Sequence, residues 1–287
     1  MKNTILMLLA SFLILPTSHA APTPDLVKVQ IFADASTIAP GTPFTVAVKL
    51  KLAPHWHVYW INAGDTGIPT KITFDLPSGF TGGEVQFPVP TRFDVTAGMV
   101  SYGYEDEVAF LATITPPKDL KTGEEVTIGA KASWLVCQEN CLKGDEKVSI
   151  ALKTDAKPQA ANAEQFEKWR SALPVPPEQG PKIVQDVQVD APGGQFKSVN
   201  GKLTAEFAKT PGKVEWFPAV TDQLLVSTNE VKTNDGKSVV SFKIEALPGE
   251  KVSDRSLFSV LAYTVDGKRV GVALPISLSA SNSTKGS

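Results

Sequence analysis

The sequence predicts an all-β protein: two antiparallel β-sandwiches joined by a short helical connector. Three observations predict it. Val, Ile, Thr and Phe recur in short runs broken by scattered Pro and Gly, the rhythm of many short strands between turns. The one stretch with helical spacing lies mid-chain, between two regions of that rhythm. Two cysteines cannot scaffold 287 residues, so each half must rest on an ordinary apolar core.

The elements follow in order. Met1 and Lys2 lead into an apolar run from Ile5 to Leu15, then Pro16 and the small-x-small signal Ser18-His19-Ala20. That run is too short to span a bilayer, so residues 1–20 read as a cleaved signal peptide. Residues 22–155 form the first expected sandwich, with strands at 27–31, 44–52, 70–74, 84–87, 108–114, 125–133 and 146–152. Ala39-Pro40-Gly41-Thr42-Pro43, Pro77-Ser78-Gly79, Pro116-Pro117 and Thr122-Gly123 punctuate them. Residues 156–180 are the connector. Within it, residues 163–173 set Phe166, Trp169 and Leu173 on one helical stripe that should pack against a sandwich. Residues 181–280 are the second sandwich, with strands at 183–189, 202–207, 213–217, 224–227, 238–244, 257–265 and 270–278. Asn234-Asp235-Gly236 and Asp266-Gly267 are hairpin signals. Residues 281–287 are a polar tail, expected to be disordered.

Charge narrows the function. The formal charge is −2, and −3 once Lys2 is removed. No basic excess is present to hold nucleic acid, so no nucleic-acid partner is expected. There is no phosphate loop, dinucleotide fingerprint or Gly-x-Ser-x-Gly elbow, and no cofactor is expected. Oligomeric state is not readable from these residues.

Chemistry concentrates in the only two cysteines, Cys137 and Cys141, within Trp134-Leu135-Val136-Cys137-Gln138-Glu139-Asn140-Cys141. An exported thiol meets an oxidising compartment, so a close pair is a disulfide or a working redox couple. The pair sits in or beside a hairpin connection, with Leu142-Lys143-Gly144-Asp145 expected to finish the turn. Exchange needs a thiolate that attacks a sulfur and a second thiol near enough to resolve the mixed disulfide. A plain clip is the competing reading; closing so short a loop contributes roughly 2 kcal/mol.

His55-Trp56-His57-Val58-Tyr59-Trp60 is the densest aromatic stretch. On a strand His55 and His57 would share a face opposite Trp56. Two such histidines could join the cysteines at copper or zinc, or simply pack and hydrogen-bond locally. Tyr102-Gly103-Tyr104 sets two rings on one face, able to shield a sulfur pair or fill a sheet surface.

Four ordered blocks carry a family resemblance. The run from His55 through Asp65-Thr66-Gly67-Ile68-Pro69-Thr70 resembles a family stretch HWHxYWxNPGDSGxPT, with Ala63 at a position where Pro is frequent. Phe87-Pro88-Val89-Pro90-Thr91-Arg92-Phe93, Ser101-Tyr102-Gly103-Tyr104 and the cysteine block match in the same order. The family is the periplasmic N-terminal domain of DsbD-like thiol:disulfide interchange proteins, especially the branch of suppressor of copper sensitivity protein B. The region after Pro181 resembles the second module of that branch.

The resemblance implies an immunoglobulin-like fold, a periplasmic location and a redox-active Cys137/Cys141 pair. That pair would pass reducing equivalents to a periplasmic thioredoxin-like oxidoreductase. Full-length relatives continue into a membrane electron-transfer domain and a thioredoxin-like domain. Neither is in this sequence, so a separate membrane protein is the expected electron source. Tyr102, Tyr104, His55, Trp56 and His57 are the candidates for shielding the sulfurs or meeting the partner. The alternatives are a copper-tolerance or metal-handling factor using His55, His57 and the thiols, and a structural adaptor with an inert disulfide.

Overall fold

The computed structural model describes residues 26–95, 98–252 and 256–278. The expected leader and tail lie outside them. The first half contains β1 (Val27–Ala33), β2 (Ala35–Ile38), β3 (Phe44–Leu52), β4 (His57–Gly64), β5 (Lys71–Asp75) and β6 (Thr81–Gly82). It continues with β7 (Thr91–Asp94), β8 (Val100–Glu105), β9 (Glu107–Thr115), β10 (Glu125–Cys137), β11 (Cys141–Thr154) and β12 (Gln159–Ala160). Helix α1 (Ala163–Arg170) follows. The second half contains β13 (Lys182–Asp190), β14 (Ser198–Glu206), β15 (Val214–Pro218), β16 (Leu224–Asn234), β17 (Lys237–Ala246), β18 (Ser256–Val265) and β19 (Lys268–Ser277).

Each half is a two-sheet sandwich. In the first, sheet β1-β3-β9-β6 faces sheet β12-β2-β11-β10-β4-β8-β7, with β5 also paired to β10. The second stacks β13-β14-β17-β16 on β15-β18-β19. Among the named strands pairing is antiparallel, except where β2 meets β11 in parallel; an isolated parallel bridge joins Val175 to Val272. Period-two patterning drives this: Val46, Val48, Leu50 and Leu52 of β3 are buried on one face, between Thr45, Lys49 and Lys51. Asp235-Gly236 and Asp266-Gly267 both have positive φ at two consecutive residues, as a tight hairpin turn of matching twist requires.

The helix is shorter than its apolar stripe. Phe166 and Trp169 are buried on Ala47, Ala109 and Leu111, the outer face of the first sheet, and Leu173 packs beside them from the turn beyond. Asn162, in the left-handed region at φ 54°, precedes α1, and its side-chain amide donates to Ala33 O at 2.9 Å.

The two sandwiches meet through an apolar seam. Phe217, Val260 and Ala262 from the second half belong to the same buried cluster as Trp60 and Tyr102 of the first. Phe217 meets Trp60 at 6.2 Å and Tyr102 at 5.1 Å, both edge to face. Asn62 Nδ2 donates to Pro218 O at 2.6 Å, and an Arg269 guanidinium nitrogen donates to Pro90 O at 2.6 Å.

Several local expectations need correction. Residues 84–87 do not form a strand; Gln86 makes only an isolated bridge to Leu111. The turn at the cysteines is just Gln138-Glu139-Asn140, and residues 142–145 continue β11. Gly144 there serves packing rather than turning: it faces Trp134, and a Cβ on it would lie 2.8 Å from the indole. Strands β2, β4, β6, β7, β8 and β12 are not among the expected ones.

Candidate functional site

Strands β10 and β11 form a long hairpin whose register ends on Cys137 opposite Cys141. Their Cα atoms are 4.2 Å apart, and the two sulfurs are bonded. The two ends of this disulfide differ. Cys137 is 2% exposed and packs with Tyr59 and Ala63. Cys141 is exposed at the hairpin tip.

Strand β4 builds the wall behind Cys137. His57 is its direct cross-strand partner, and Val136 is opposite Val58. Alternation then divides the aromatic block between two faces. Trp56, Val58 and Trp60 point into the core of the first sandwich. His57 and Tyr59 point to the other face, with the sulfurs. His57 Nε2 lies 3.3 Å from the Tyr59 hydroxyl, with ring centroids at 5.2 Å.

Further strands complete this face. In β8, Glu105 is the cross-strand partner of His57, and Gly103 is that of Tyr59. From β7, Phe93 stacks on His57 at 5.0 Å. Burial lowers the His57 pKa, and the Glu105 charge opposes that shift. Burial also raises the Tyr59 pKa, so its phenol stays protonated at neutral pH.

The remaining predicted residues lie elsewhere. His55 precedes β4 in the left-handed region at φ 67° and is exposed, so it does not share a face with His57 as expected. Tyr102 and Tyr104 do share one face, but it is the core face, away from the disulfide. Tyr104 is buried against Phe110 and donates to Pro88 O at 2.8 Å. Tyr102 lies in the seam against Phe217, with Asn229 Nδ2 at 3.5 Å from its hydroxyl. Among the described residues, no three His, Cys, Asp or Glu side chains gather as a metal site. No helix among them is long and apolar enough to cross a membrane.

Sequence reasoning missed Phe93, Glu105 and the role of Tyr59. The period of two through His57-Val58-Tyr59 would have placed Tyr59 beside His57. Phe93 and Glu105 reach the site only through the pairing of β7 with β8 and of β8 with β4, which no local pattern encodes.

Fold and site together define a class: an immunoglobulin-like β-sandwich with a disulfide closing the tip of one hairpin, one cysteine buried and the other exposed. Residues 23–153 match the family described as thiol:disulfide interchange protein DsbD, N-terminal. Among solved structures, the N-terminal periplasmic domain of ScsB from Proteus mirabilis is 20% identical; the match covers 90% of this chain and 96% of that one, with TM-score 0.61. This is a likeness of fold extending over both sandwiches. BcpA, the major pilin subunit of Bacillus cereus, is 13% identical over 88% of this chain and 66% of its own, with TM-score 0.26, too loose an overlap to bear on the fold. No curated protein matches the chain.

Proposed function

We propose that this chain is a periplasmic thiol–disulfide exchange module. Cys137 and Cys141 pass reducing equivalents to a thioredoxin-like oxidoreductase and are recharged by a separate membrane electron-transfer protein. The observation that carries the reading is the asymmetry of the pair, with Cys141 exposed and Cys137 2% exposed. Exchange depends on which sulfur an incoming thiolate can reach. A partner meets Cys141, while Cys137 is the buried sulfur that leaves or resolves. The match of residues 23–153 to an interchange family supports the same chemistry, and the leader-like first 20 residues support export.

Two measurements test it. The Cys137→Ser variant should trap a mixed disulfide through Cys141 with a thioredoxin-fold protein, whereas Cys141→Ser should trap almost none. The reduction potential should lie above about −300 mV, the region below which structural disulfides fall. A potential well below that value, with no trapped adduct, would identify an inert clip.

A further inference from the structure

The Cys137 side of the disulfide has a neighbour that exchange alone does not require. His57 stands directly across from Cys137 in the β4–β10 ladder. Glu105 stands directly across from His57 in the β4–β8 ladder. Sulfur, imidazole and carboxylate therefore lie in one row over three adjacent strands. Directly opposed residues have Cβ atoms about 4.5–5.5 Å apart, within reach of an imidazole. The same face is marked independently by Tyr59, which packs on Cys137 and holds His57 Nε2 at 3.3 Å. With Nε2 donating to the Tyr59 oxygen, Nδ1 keeps a free lone pair.

Resting on the exchange reading above, we infer that His57 is the proton acceptor for Cys137 when it resolves the mixed disulfide, and that Glu105 steadies the imidazolium that results. In that step the Cys137 proton passes to His57 Nδ1. The sulfur electron pair so freed forms the bond to Cys141 Sγ. The bond between Cys141 and the partner sulfur breaks, and its electron pair leaves on the partner as a thiolate. This chain is oxidised by two electrons and the partner disulfide is fully reduced. His57 then releases its proton to water.

The surroundings suit the task. The titratable groups facing His57 are Tyr59 on its own strand, Cys137 from β10 and Glu105 from β8; β7 contributes the uncharged ring of Phe93. Burial favours the neutral imidazole that can take a proton, and Glu105 favours the charged form once it exists. Burial in apolar surroundings disfavours a thiolate, so a thiol held as Cys137 is gains from a base beside it.

The test uses fully reduced protein and the chromogenic disulfide dithiodipyridine in a stopped-flow mixer. The first release of pyridinethione reports attack by Cys141, and the second reports resolution by Cys137. At pH 7, His57→Gln should slow the second release about tenfold and leave the first within about twofold. The two proteins should converge as the pH rises into the alkaline range where a thiol ionises without a base. Glu105→Gln should give a smaller slowing of the same phase. His57→Phe keeps a ring for Phe93 to stack on but has no nitrogen, and it should match His57→Gln. Resolution by His57→Phe at the wild-type rate would overturn the inference. So would equal slowing of both releases, or a deficit unchanged by pH. Failure of wild-type protein to give even the first release would instead sink the exchange reading, and the inference with it.

Discussion

Gly67 lies flush against the ring of Tyr59: a Cβ placed on Gly67 would come 2.2 Å from Tyr59 Cε1. Its φ of 111° is also one that a side-chain-bearing residue rarely adopts. The loop after β4 is thus moulded onto the ring that covers Cys137. Gly67→Ala must displace either loop or ring. It should cost about 1–3 kcal/mol, read from the urea midpoint. It should also speed reduction of the disulfide by dithiothreitol, because Tyr59 no longer seals the buried sulfur. Unchanged reduction kinetics in a destabilised variant would show that Tyr59 is not a seal.

Phe93 covers His57 from β7, with the rings stacked at 5.0 Å. It is only half-buried, so its removal leaves both cores intact. Phe93→Ala should therefore change stability little while admitting water to His57. The His57 pKa should rise towards its ordinary value, since burial is the first cause of its depression. An NMR titration of the imidazole would show this. A pKa that stays put would mean that Cys137 and Tyr59 alone desolvate the ring.

These two covers mark what the sequence could and could not show. Alternation and turn chemistry made the core strands β1, β3, β9, β10 and most of the second sandwich legible, because each buries one face and obeys a period of two. The Cys137/Cys141 pair was legible from isolation and spacing alone. Strand β4 was not: Trp56, Val58 and Trp60 face the core, but His57 and Tyr59 face a second apolar surface, so polarity does not alternate. The ring beside Cys137 is Tyr59 rather than Tyr102 or Tyr104 for a related reason. Both tyrosines lie on the core side of β8, one filling the first sandwich and one filling the seam. That seam depends on how two sandwiches dock, which local pattern does not encode.

Phe217 is the centre of the seam. It is fully buried and touches Trp60 and Tyr102 across the boundary. Phe217→Ala should cost about 3–5 kcal/mol if both sandwiches unfold together, as a large-to-small change in a shared core does. The seam should also weaken relative to each core, so calorimetry should resolve two transitions in place of one. A single transition at unchanged temperature would show that Phe217 fills space without coupling the halves.

His57 also sets an acid limb to stability. Burial, the larger effect, lowers its pKa, and Glu105 offsets part of the shift. In the unfolded chain His57 takes up a proton as the pH falls through about 6.5. In the folded protein it resists until a lower pH. Between those two values the unfolded state binds more protons, so stability falls as the pH drops; it stops falling once the folded His57 is also protonated. Above about 6.5 the residue is neutral in both states and contributes no pH dependence. Urea midpoints of wild type and His57→Gln, measured near pH 7.5 and near pH 5.5, isolate this residue, because the two proteins differ only there. Wild type should lose more stability than His57→Gln between the two conditions. An equal loss would show that the row formed by Cys137, His57 and Glu105 does not hold the imidazole out of water.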